Sequence, residues 1–336
     1  QKKGVKITQI GGGNNENLRL LKDNNINVIE NFALKKFSFK TTKKLRAFIK
    51  GNKFDIVHLF ISKDIKIAIP AVYNLPIKVV AYFGSASVHW YDPTAYLGVL
   101  NPRINAIICN SQFVYNHMVK QLFGNQKQKA VKIYKGYGED WFNEVKPFNF
   151  EGLNISEKAI KIAIVGRNTK VKGFSYFMEA AAKMYKYKNV HFIVIGRDTD
   201  NAAMQLLKKE AKNSENIHLL GHRTDVVSIL KSIDIYTQTS LSEGFGRAIS
   251  EAMSVEKPIV MTNAGGCTEL IETNKSGLVV PKKNAEAIAN AWKKLIDDEH
   301  FRLQMGEHAQ QRMFKKFNIK NTINKTQNLY LELVNS

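Results

Sequence analysis

Two glutamates flank a glycine-containing turn in the second half of the chain. Glu243 precedes Gly244-Phe245-Gly246, and Glu251 follows Glu243 after seven intervening residues. The apolar run 233–237 before them is typical of a buried parallel strand, and the residues after the turn favour a helix. A helix N-terminus above a strand end offers free N–H groups and a positive dipole end. The pattern therefore predicts a site for an anionic or hydroxyl-rich ligand, with two carboxylates facing one cleft.

A basic loop opens the second half of the chain. The apolar run 160–165 is followed by Gly166, Arg167 and Lys172, and a helix is predicted from Phe174. α/β folds bind phosphates between a strand end and a helix N-terminus. Arginine can bind two phosphate oxygens at once, and lysine supplies a compact charge. From the residues alone, either a phosphate site or a solvated loop fits this segment.

The stretch around the two glutamates also matches a known signature. The run Ser242-Glu243-Gly244-Phe245-Gly246, with Glu251-Ala252-Met253 behind it, resembles the E-x7-E motif of retaining glycosyltransferases with the GT-B fold, family 4 in particular. The resemblance covers the second half of the chain and is weaker in the first half. It implies transfer of a hexose-type sugar from a nucleotide diphosphate sugar to a hydroxyl acceptor, with retention and without a metal or cofactor.

The resemblance also implies roles for individual residues. Arg167 and Lys172 would bind the donor diphosphate, where fixed cations stabilise the charge on the leaving group. Glu251 would bind the ribose hydroxyls and Glu243 the sugar hydroxyls, because a carboxylate accepts hydrogen bonds from a vicinal diol. Arg167, Lys172 and Glu243 are the expected catalytic residues. The expected donor-binding residues are Gly166, His222, Arg223, Gly244, Phe245, Gly246 and Glu251. Ala264-Gly265-Gly266 and Glu269 are expected to form the next loop of the same rim.

One short motif favours a different chemistry. Asp198-Thr199-Asp200 has the Asp-x-Asp form of metal-dependent GT-A transferases. Those enzymes carry one such domain and no E-x7-E motif. A helix-capping loop is therefore the favoured interpretation, and no metal is expected.

Strands and helices alternate through both halves of the chain, which indicates parallel, doubly wound sheets. The alternation lapses between about residues 138 and 158, as in a connection between domains. We predict an α/β protein of the GT-B type, with two Rossmann-like domains facing a central cleft. Residues 1–148 would form the acceptor-side domain, completed by a C-terminal helix at about 320–336, and residues 149–319 the donor-binding domain.

Candidates on the acceptor side are fewer. Gly12 and Gly13 belong either to a glycine-rich loop near the donor phosphate or to the second unit of a domain whose start is absent. Gly84 follows the predicted strand 78–83, where many relatives carry a histidine that this chain lacks. His89 either replaces that histidine or is a structural residue packed on Trp90.

Composition limits the protein class. A chain of 336 residues with 44% hydrophobic residues is long and apolar enough for about two globular domains. No apolar run approaches the ~20 residues of a membrane span. Cys109 and Cys267 fall in different halves, which argues against a disulfide framework and favours a cytosolic location. The chain begins at Gln1, so a lost targeting segment stays open.

The net charge of +21 indicates anionic partners. No nucleic-acid-binding motif or basic tail is recognisable, so nucleic acid is not expected. Basic residues concentrate in 32–50, including Lys35, Lys36, Lys43 and Lys44. Residues 41–50 of this segment are predicted to form a helix. Either its apolar face packs on the sheet, or the segment attaches to an anionic membrane surface through its lysines, Phe37 and Phe39.

The sequence thus predicts a glycosyltransferase of cell-surface glycan or glycolipid synthesis, cytoplasmic or peripheral on the cytoplasmic membrane face. Its expected partners are a nucleotide-sugar donor and a sugar, glycan or lipid-linked acceptor. Alternatives within the fold are a nucleotide-sugar epimerase or a pyridoxal phosphate-dependent phosphorylase. A basic nucleic-acid-binding protein is the alternative from another class.

Overall fold

A computed structural model describes residues 4–11, 15–30, 32 and 38–336, with the backbone alone for 15–17. The predicted site residues Gly12 and Gly13 lie outside the described residues. So do Lys35, Lys36 and Phe37 of the basic segment.

The secondary structure alternates between strands and helices in chain order. The strands are β1 (Thr8–Ile10), β2 (Asn27–Ile29), β3 (Ile56–Leu59), β4 (Lys78–Phe83), β5 (Ala106–Cys109), β6 (Ala130–Lys132), β7 (Ile160–Val165), β8 (Val190–Ile195), β9 (Ile217–Gly221), β10 (Ile235–Gln238), β11 (Ile259–Thr262) and β12 (Gly277–Val280). The α-helices are α1 (Asn15–Asp23), α2 (Phe39–Asn52), α3 (Ser62–Val72), α4 (Gln112–Gln121), α5 (Phe174–Lys183), α6 (Ala202–Glu210), α7 (Val226–Lys231), α8 (Arg247–Ser254), α9 (Ala285–Asp297), α10 (Glu299–Lys316) and α11 (Ile319–Asn335).

The first half contains a parallel sheet in the order β3-β4-β5-β6. All four residues of β5 are buried, as expected of a central parallel strand. The alternation of elements in the first half predicts one continuous sheet, whereas among the described residues β1 and β2 pair only with each other. Both strands are short and half-exposed, so they lack the apolar residues that a strand covered on both faces needs.

The second half contains a parallel sheet in the order β12-β11-β10-β7-β8-β9. The chain proceeds from β7 towards β9 on one side, and returns to β10 on the other side of β7. Parallel α/β sheets bind ligands outside the carboxyl ends of the strands where the order reverses in this way. The loops after β7 and β10 both start there, and they contain Arg167, Lys172 and Glu243.

Helices cover both faces of this second sheet. One apolar core includes residues of α5 and α9, among them Phe177 and the buried Trp292, whose ring N–H donates to Thr237 at 2.8 Å. The other core includes residues of α7, α8 and α10. The sheet is therefore fixed on both sides, which gives its loops a rigid base.

The last helix returns to the first sheet. Leu329 of α11 packs with Val80 and Ile108. The Tyr330 hydroxyl lies 2.5 Å from Nδ1 of His58, and burial lowers the pKa of that histidine to about 4. The first sheet thus shares a core with the end of the chain. The proposed domain boundary near residue 148 stays a prediction.

Two further features of the described residues concern the cysteines and the bilayer. Cys109 and Cys267 are buried free thiols. Throughout the described ranges, no helix has both the length and the hydrophobicity needed to cross a bilayer.

Candidate active site

The loop after β7 depends on close backbone packing. The Gly166 N–H donates to the Ile195 carbonyl at 2.9 Å. A Cβ placed on Gly196, whose φ is +138°, would lie 1.7 Å from the Gly166 carbonyl oxygen. Glycine at position 196 therefore allows the chain after β8 to pass directly beside the start of the basic loop.

The end of the basic loop is bonded to the loop after β10. The Thr239 hydroxyl donates to the Gly173 carbonyl at 2.8 Å, and the Leu241 N–H donates to the Val171 carbonyl at 2.7 Å. A Cβ on Gly173, which has a φ of +65°, would lie 2.2 Å from the Thr239 carbonyl oxygen. These contacts fix the position of Lys172 relative to the residues that follow Thr239.

Lys172 and Glu243, both predicted catalytic residues, form an ion pair between Nζ and Oε2. Their side chains are 30% and 14% exposed, so the pair is partly shielded from solvent. Such a pair is stronger than an exposed one because water screens it less. The structure thus brings together the expected phosphate-binding cation and the expected sugar-binding carboxylate.

Arg167 is exposed on the same loop. Within the described residues, no ion pair or side-chain hydrogen bond engages its guanidinium group. A solvated guanidinium at a strand end can bind an incoming anion without first breaking a contact in the protein.

The backbone of Glu243 is held from the neighbouring loop. Its N–H donates to the Ala264 carbonyl at 2.7 Å, and its carbonyl accepts from the Gly266 N–H at 2.9 Å. Gly246, with a φ of +100°, precedes the first residue of α8. The Phe245 side chain is buried against Tyr134 and Phe317, so only its backbone can face a ligand.

Glu251 lies in the second turn of α8, with its side chain 15% exposed. The Arg247 Nε atom lies 3.3 Å from its Oε1 atom. Burial raises the pKa of Glu251 above the ordinary value, and the charges of Arg247 and Lys135 act in the opposite direction. No sequence pattern pointed to Lys135, because this residue comes from the first half of the chain.

The structure places His222 and Arg223 after β9. His222 is exposed. The Arg223 guanidinium binds both oxygens of Asp225, at 2.8 and 2.6 Å, and lies over the Phe148 ring at 5.3 Å. The carboxylate raises the pKa of Arg223. A ligand would therefore meet an arginine that is already held by Asp225.

The acceptor-side candidates Gly84 and His89 have different surroundings. The carbonyl oxygen of Gly84 would lie 1.9 Å from a Cβ on Gly244, so the two halves of the chain meet at these glycines. His89 stacks on Tyr91, with ring centroids 5.0 Å apart, and contacts the edge of His117. It does not stack on Trp90, which packs instead on Phe123 and the edge of Tyr91. The ring contacts of His89 are thus with Tyr91 and His117, and its role on the acceptor side stays a prediction.

The Asp-x-Asp motif lies in the loop before α6. Asn201, rather than an aspartate, caps that helix by accepting from the Met204 N–H at 3.0 Å. Asp198 has a φ of +63°, and a Cβ on Gly221 would lie 2.6 Å from an Asp200 carboxylate oxygen. Across the described ranges, no group of three or more His, Cys, Asp or Glu side chains is placed to hold a metal ion.

Glu269 has contacts that the sequence did not predict. It accepts hydrogen bonds from the backbone N–H groups of Gln112 and Phe113 and from the Tyr134 hydroxyl, each at 2.8 Å. All three donors belong to the first half of the chain. Ser111 caps this helix by accepting from the Val114 N–H at 3.1 Å, and nothing in the sequence connected the helix start with Glu269.

Comparison with known proteins gives one family and several relatives. Residues 145–312, half of the chain, match the family described as glycosyl transferases group 1. The N,N'-diacetylbacillosaminyl-diphospho-undecaprenol alpha-1,3-N-acetylgalactosaminyltransferase of Campylobacter jejuni is 34% identical over 169 residues, which cover 50% of this chain and 44% of the relative. The Escherichia coli UDP-Gal:alpha-D-GlcNAc-diphosphoundecaprenol alpha-1,3-galactosyltransferase is 28% identical over 54% of this chain and 48% of its own length. The chain spans about half the length of these relatives.

Solved structures agree with the predicted fold. A glycosyltransferase from Rickettsia africae ESF-5 superposes with a TM-score of 0.84 at 21% identity, over 99% of this chain and 91% of that one. Anabaena Alr3699/HepE in complex with UDP-glucose gives a TM-score of 0.80 at 19% identity, over 96% and 91% of the two chains. The fold is the GT-B arrangement of two parallel-sheet α/β domains, and its prediction is confirmed. Together with the match over residues 145–312, this places the chain in the group 1 glycosyltransferase family.

Proposed function

We propose that the chain transfers a sugar from a nucleotide diphosphate sugar to a hydroxyl acceptor. The contact between Lys172 and Glu243 carries this proposal. It joins a lysine and a glutamate at the point where the strand order reverses, and these side-chain types suit a diphosphate and a sugar hydroxyl. Membership of the group 1 family supports the same activity.

The proposed reaction assigns one task to each side chain. Arg167 and Lys172 bind the diphosphate and stabilise the negative charge that develops as the bond from the sugar to the phosphate breaks. Glu243 binds hydroxyls of the donor sugar, and Glu251 binds the ribose diol. The acceptor oxygen forms the new bond to the sugar carbon, and its proton passes to the leaving phosphate on the same face. The configuration is thereby retained, and no metal or cofactor is needed.

The names of related proteins support more specific substrates. Two relatives act on lipid-linked acceptors by name, and Anabaena HepE is described in complex with UDP and with UDP-glucose. The Staphylococcus aureus relative CapM, 27% identical over 57% of this chain, is named for capsular polysaccharide biosynthesis. We propose a uridine diphosphate sugar as donor, and a glycan or lipid-linked sugar as acceptor.

A thermal-shift series tests the donor proposal. UDP, GDP, ADP and CMP, each alone and as its sugar conjugate, would be added to the purified chain. The uridine compounds should raise the Tm, because a ligand present at 100 times its Kd adds about 2.7 kcal/mol to the free energy of unfolding. Stabilisation by none of them, together with steeply salt-dependent binding of DNA, would favour the nucleic-acid alternative. Conversion of the donor sugar to its epimer without an acceptor would favour the epimerase alternative.

We also propose peripheral attachment of the first half to an anionic membrane surface. On α2, Leu45 and Ile49 are buried, so this face packs inside the protein. The opposite side exposes Lys40, Lys43, Lys44 and Lys50. Phe39, at the start of the helix, is 94% exposed. Arg46 does not contribute to the basic surface, because its guanidinium donates to the carbonyls of Ala71 and Tyr73.

Vesicle sedimentation tests the attachment. The chain should sediment with vesicles that contain anionic lipid and not with purely zwitterionic vesicles, and less as salt rises. Replacing Lys40, Lys43 and Lys44 by glutamine should release it, because each basic residue near an anionic surface contributes about 1 kcal/mol.

The control for this experiment changes the same charge elsewhere. Lys186, Lys188 and Lys209 are exposed in the second half, and their replacement by glutamine should leave sedimentation unchanged. Donor hydrolysis should stay the same in both triple variants. Equal amounts of wild-type protein in the supernatant with and without anionic lipid would contradict the attachment and favour an acceptor in solution.

A further inference from the structure

A carboxylate from the second half of the chain holds the start of a helix in the first half. Glu269 Oε2 accepts from the Gln112 N–H, Glu269 Oε1 accepts from the Phe113 N–H, and the Tyr134 hydroxyl also donates to Oε2. These amides begin α4, whose first N–H groups have no partner inside the helix. A carboxylate there is stabilised both by charge-assisted hydrogen bonds and by the helix dipole.

Glu269 is fixed on its own side by Arg312 of α10. The Arg312 guanidinium donates to the Leu270 carbonyl at 2.6 Å and to the Glu269 carbonyl at 3.2 Å. It also forms an ion pair with Glu272. The backbone that presents Glu269 is therefore held by a side chain of the second half.

The same segment touches the loop that contains Glu243. The Gly266 N–H donates to the Glu243 carbonyl at 2.9 Å. A Cβ on Gly266 would lie 1.9 Å from the Gly244 carbonyl oxygen and 2.7 Å from the Ser111 hydroxyl oxygen. The segment from Gly266 to Glu269 therefore fills the space between the predicted sugar-binding loop and the first turn of α4.

Helix α4 in turn positions the loop after β4. The His117 Nε2 atom lies 2.7 Å from the Val88 carbonyl oxygen, and the Trp90 N–H donates to Gln121 at 3.1 Å. This loop begins at Gly84, whose carbonyl oxygen meets Gly244. A shift of α4 relative to Glu269 would consequently move the acceptor-side loop relative to Glu243.

We propose that Glu269 is a positioning residue that holds the two halves of the protein in the closed arrangement required for transfer. It acts through α4 on the loop that starts at Gly84, and it touches neither substrate. The inference rests on the proposed function, because it assigns the first half to the acceptor. Reaction rates are sensitive to such positioning, since a misplacement of ~1 Å can lower a rate by about 100-fold.

The test compares Glu269→Ala with Glu307→Ala. Both changes remove a carboxylate from the second half, but Glu307 is an exposed residue of α10 outside the contacts described above. Glu269→Ala should lower kcat by about tenfold or more, with little change in the Kd of UDP. Glu269→Gln, which keeps one acceptor oxygen, should give an intermediate rate. Glu307→Ala should keep a kcat near that of the wild type.

Amide hydrogen exchange gives a readout that does not need activity. Exchange at Gln112 and Phe113 should be faster in Glu269→Ala than in Glu307→Ala, because only the first variant removes their acceptor. Small-angle scattering should show a larger radius of gyration for Glu269→Ala alone.

The possible results separate this inference from the proposed function. If the wild type transfers no sugar while exchange and scattering of Glu269→Ala change as expected, the proposed function fails. The contact by which Glu269 holds the two halves together is then still confirmed. If Glu269→Ala keeps the wild-type kcat, exchange rates and radius of gyration, the positioning role is wrong. Loss of UDP binding in step with kcat would also overturn it, because the effect would then lie within the donor site.

Discussion

Replacing Lys172 by alanine is expected to lower turnover by more than tenfold, and Arg167→Ala should lower it by about tenfold. Loss of a charge-assisted phosphate contact removes roughly 1.5–3 kcal/mol of transition-state stabilisation. Lys172→Ala has a second effect, because Glu243 loses its ion-pair partner while its side chain is only 14% exposed. The donor diphosphate would then meet an unpaired carboxylate. We therefore expect the larger loss at position 172.

The measurement is kcat at saturating donor, with the Tm as a check on folding. Lys170→Ala is the matched control, because Lys170 is an exposed lysine of the same 3-10 turn. It should keep turnover within about twofold of the wild type, as expected for an exposed charge outside the site. Turnover should also persist in EDTA. Full dependence on added Mn²⁺ or Mg²⁺, lost when Asp198 or Asp200 is changed, would contradict the assignment and favour a metal mechanism.

Replacing Glu251 or Glu243 by alanine should have different effects on nucleotide binding and on turnover. Glu251→Ala should weaken the free nucleoside diphosphate and the complete donor alike, because both contain the ribose. A lost hydrogen bond to a charged group corresponds to roughly 1.5–3 kcal/mol. Glu243→Ala should lower turnover to a similar extent while sparing the free nucleoside diphosphate. The affinity of the Glu243→Ala variant for the nucleoside diphosphate should stay the same or rise. In this variant Lys172 has lost its ion pair with Glu243 and is free to bind phosphate.

Calorimetric titration with UDP and with the donor sugar gives both affinities for each variant. Glu256→Ala serves as a control, because this exposed residue follows α8 and lies outside the predicted site. An equal loss of UDP affinity in Glu243→Ala and Glu251→Ala would show that the two roles have been assigned wrongly.

The second half of the fold follows closely from its sequence. The runs 160–165 and 217–220 are bounded by turn residues and consist mainly of apolar side chains, which a parallel strand covered by helices requires. They form β7 and most of β9. The glycines at 244 and 246 likewise indicated the turn before α8. Local patterns were sufficient here because the residues of each segment themselves show that it is a buried strand or a turn.

Contacts between segments that lie far apart in the chain could not be predicted from the sequence. Glu269 bonds to amides that precede it by more than 150 residues, and a backbone N–H carries no sequence signal. The ion pair of Lys172 with Glu243 likewise depends on the strand order. In the first half, the alternation of elements indicated one sheet. Among the described residues, the short strands β1 and β2 pair only with each other, which depends on tertiary packing.

The packing of α11 on the first sheet has a consequence for synthesis on the ribosome. Val80 and Ile108 emerge before Leu329, which shares their core and emerges roughly 220–250 residues later. At translation rates of about 5–20 residues per second, that face of the sheet stays uncovered by its final partner for about 10–50 s. Nascent chains of this protein should therefore depend on chaperones that bind exposed apolar surface. A carboxyl-terminal fusion that prevents the docking of α11 would extend that dependence to the finished chain.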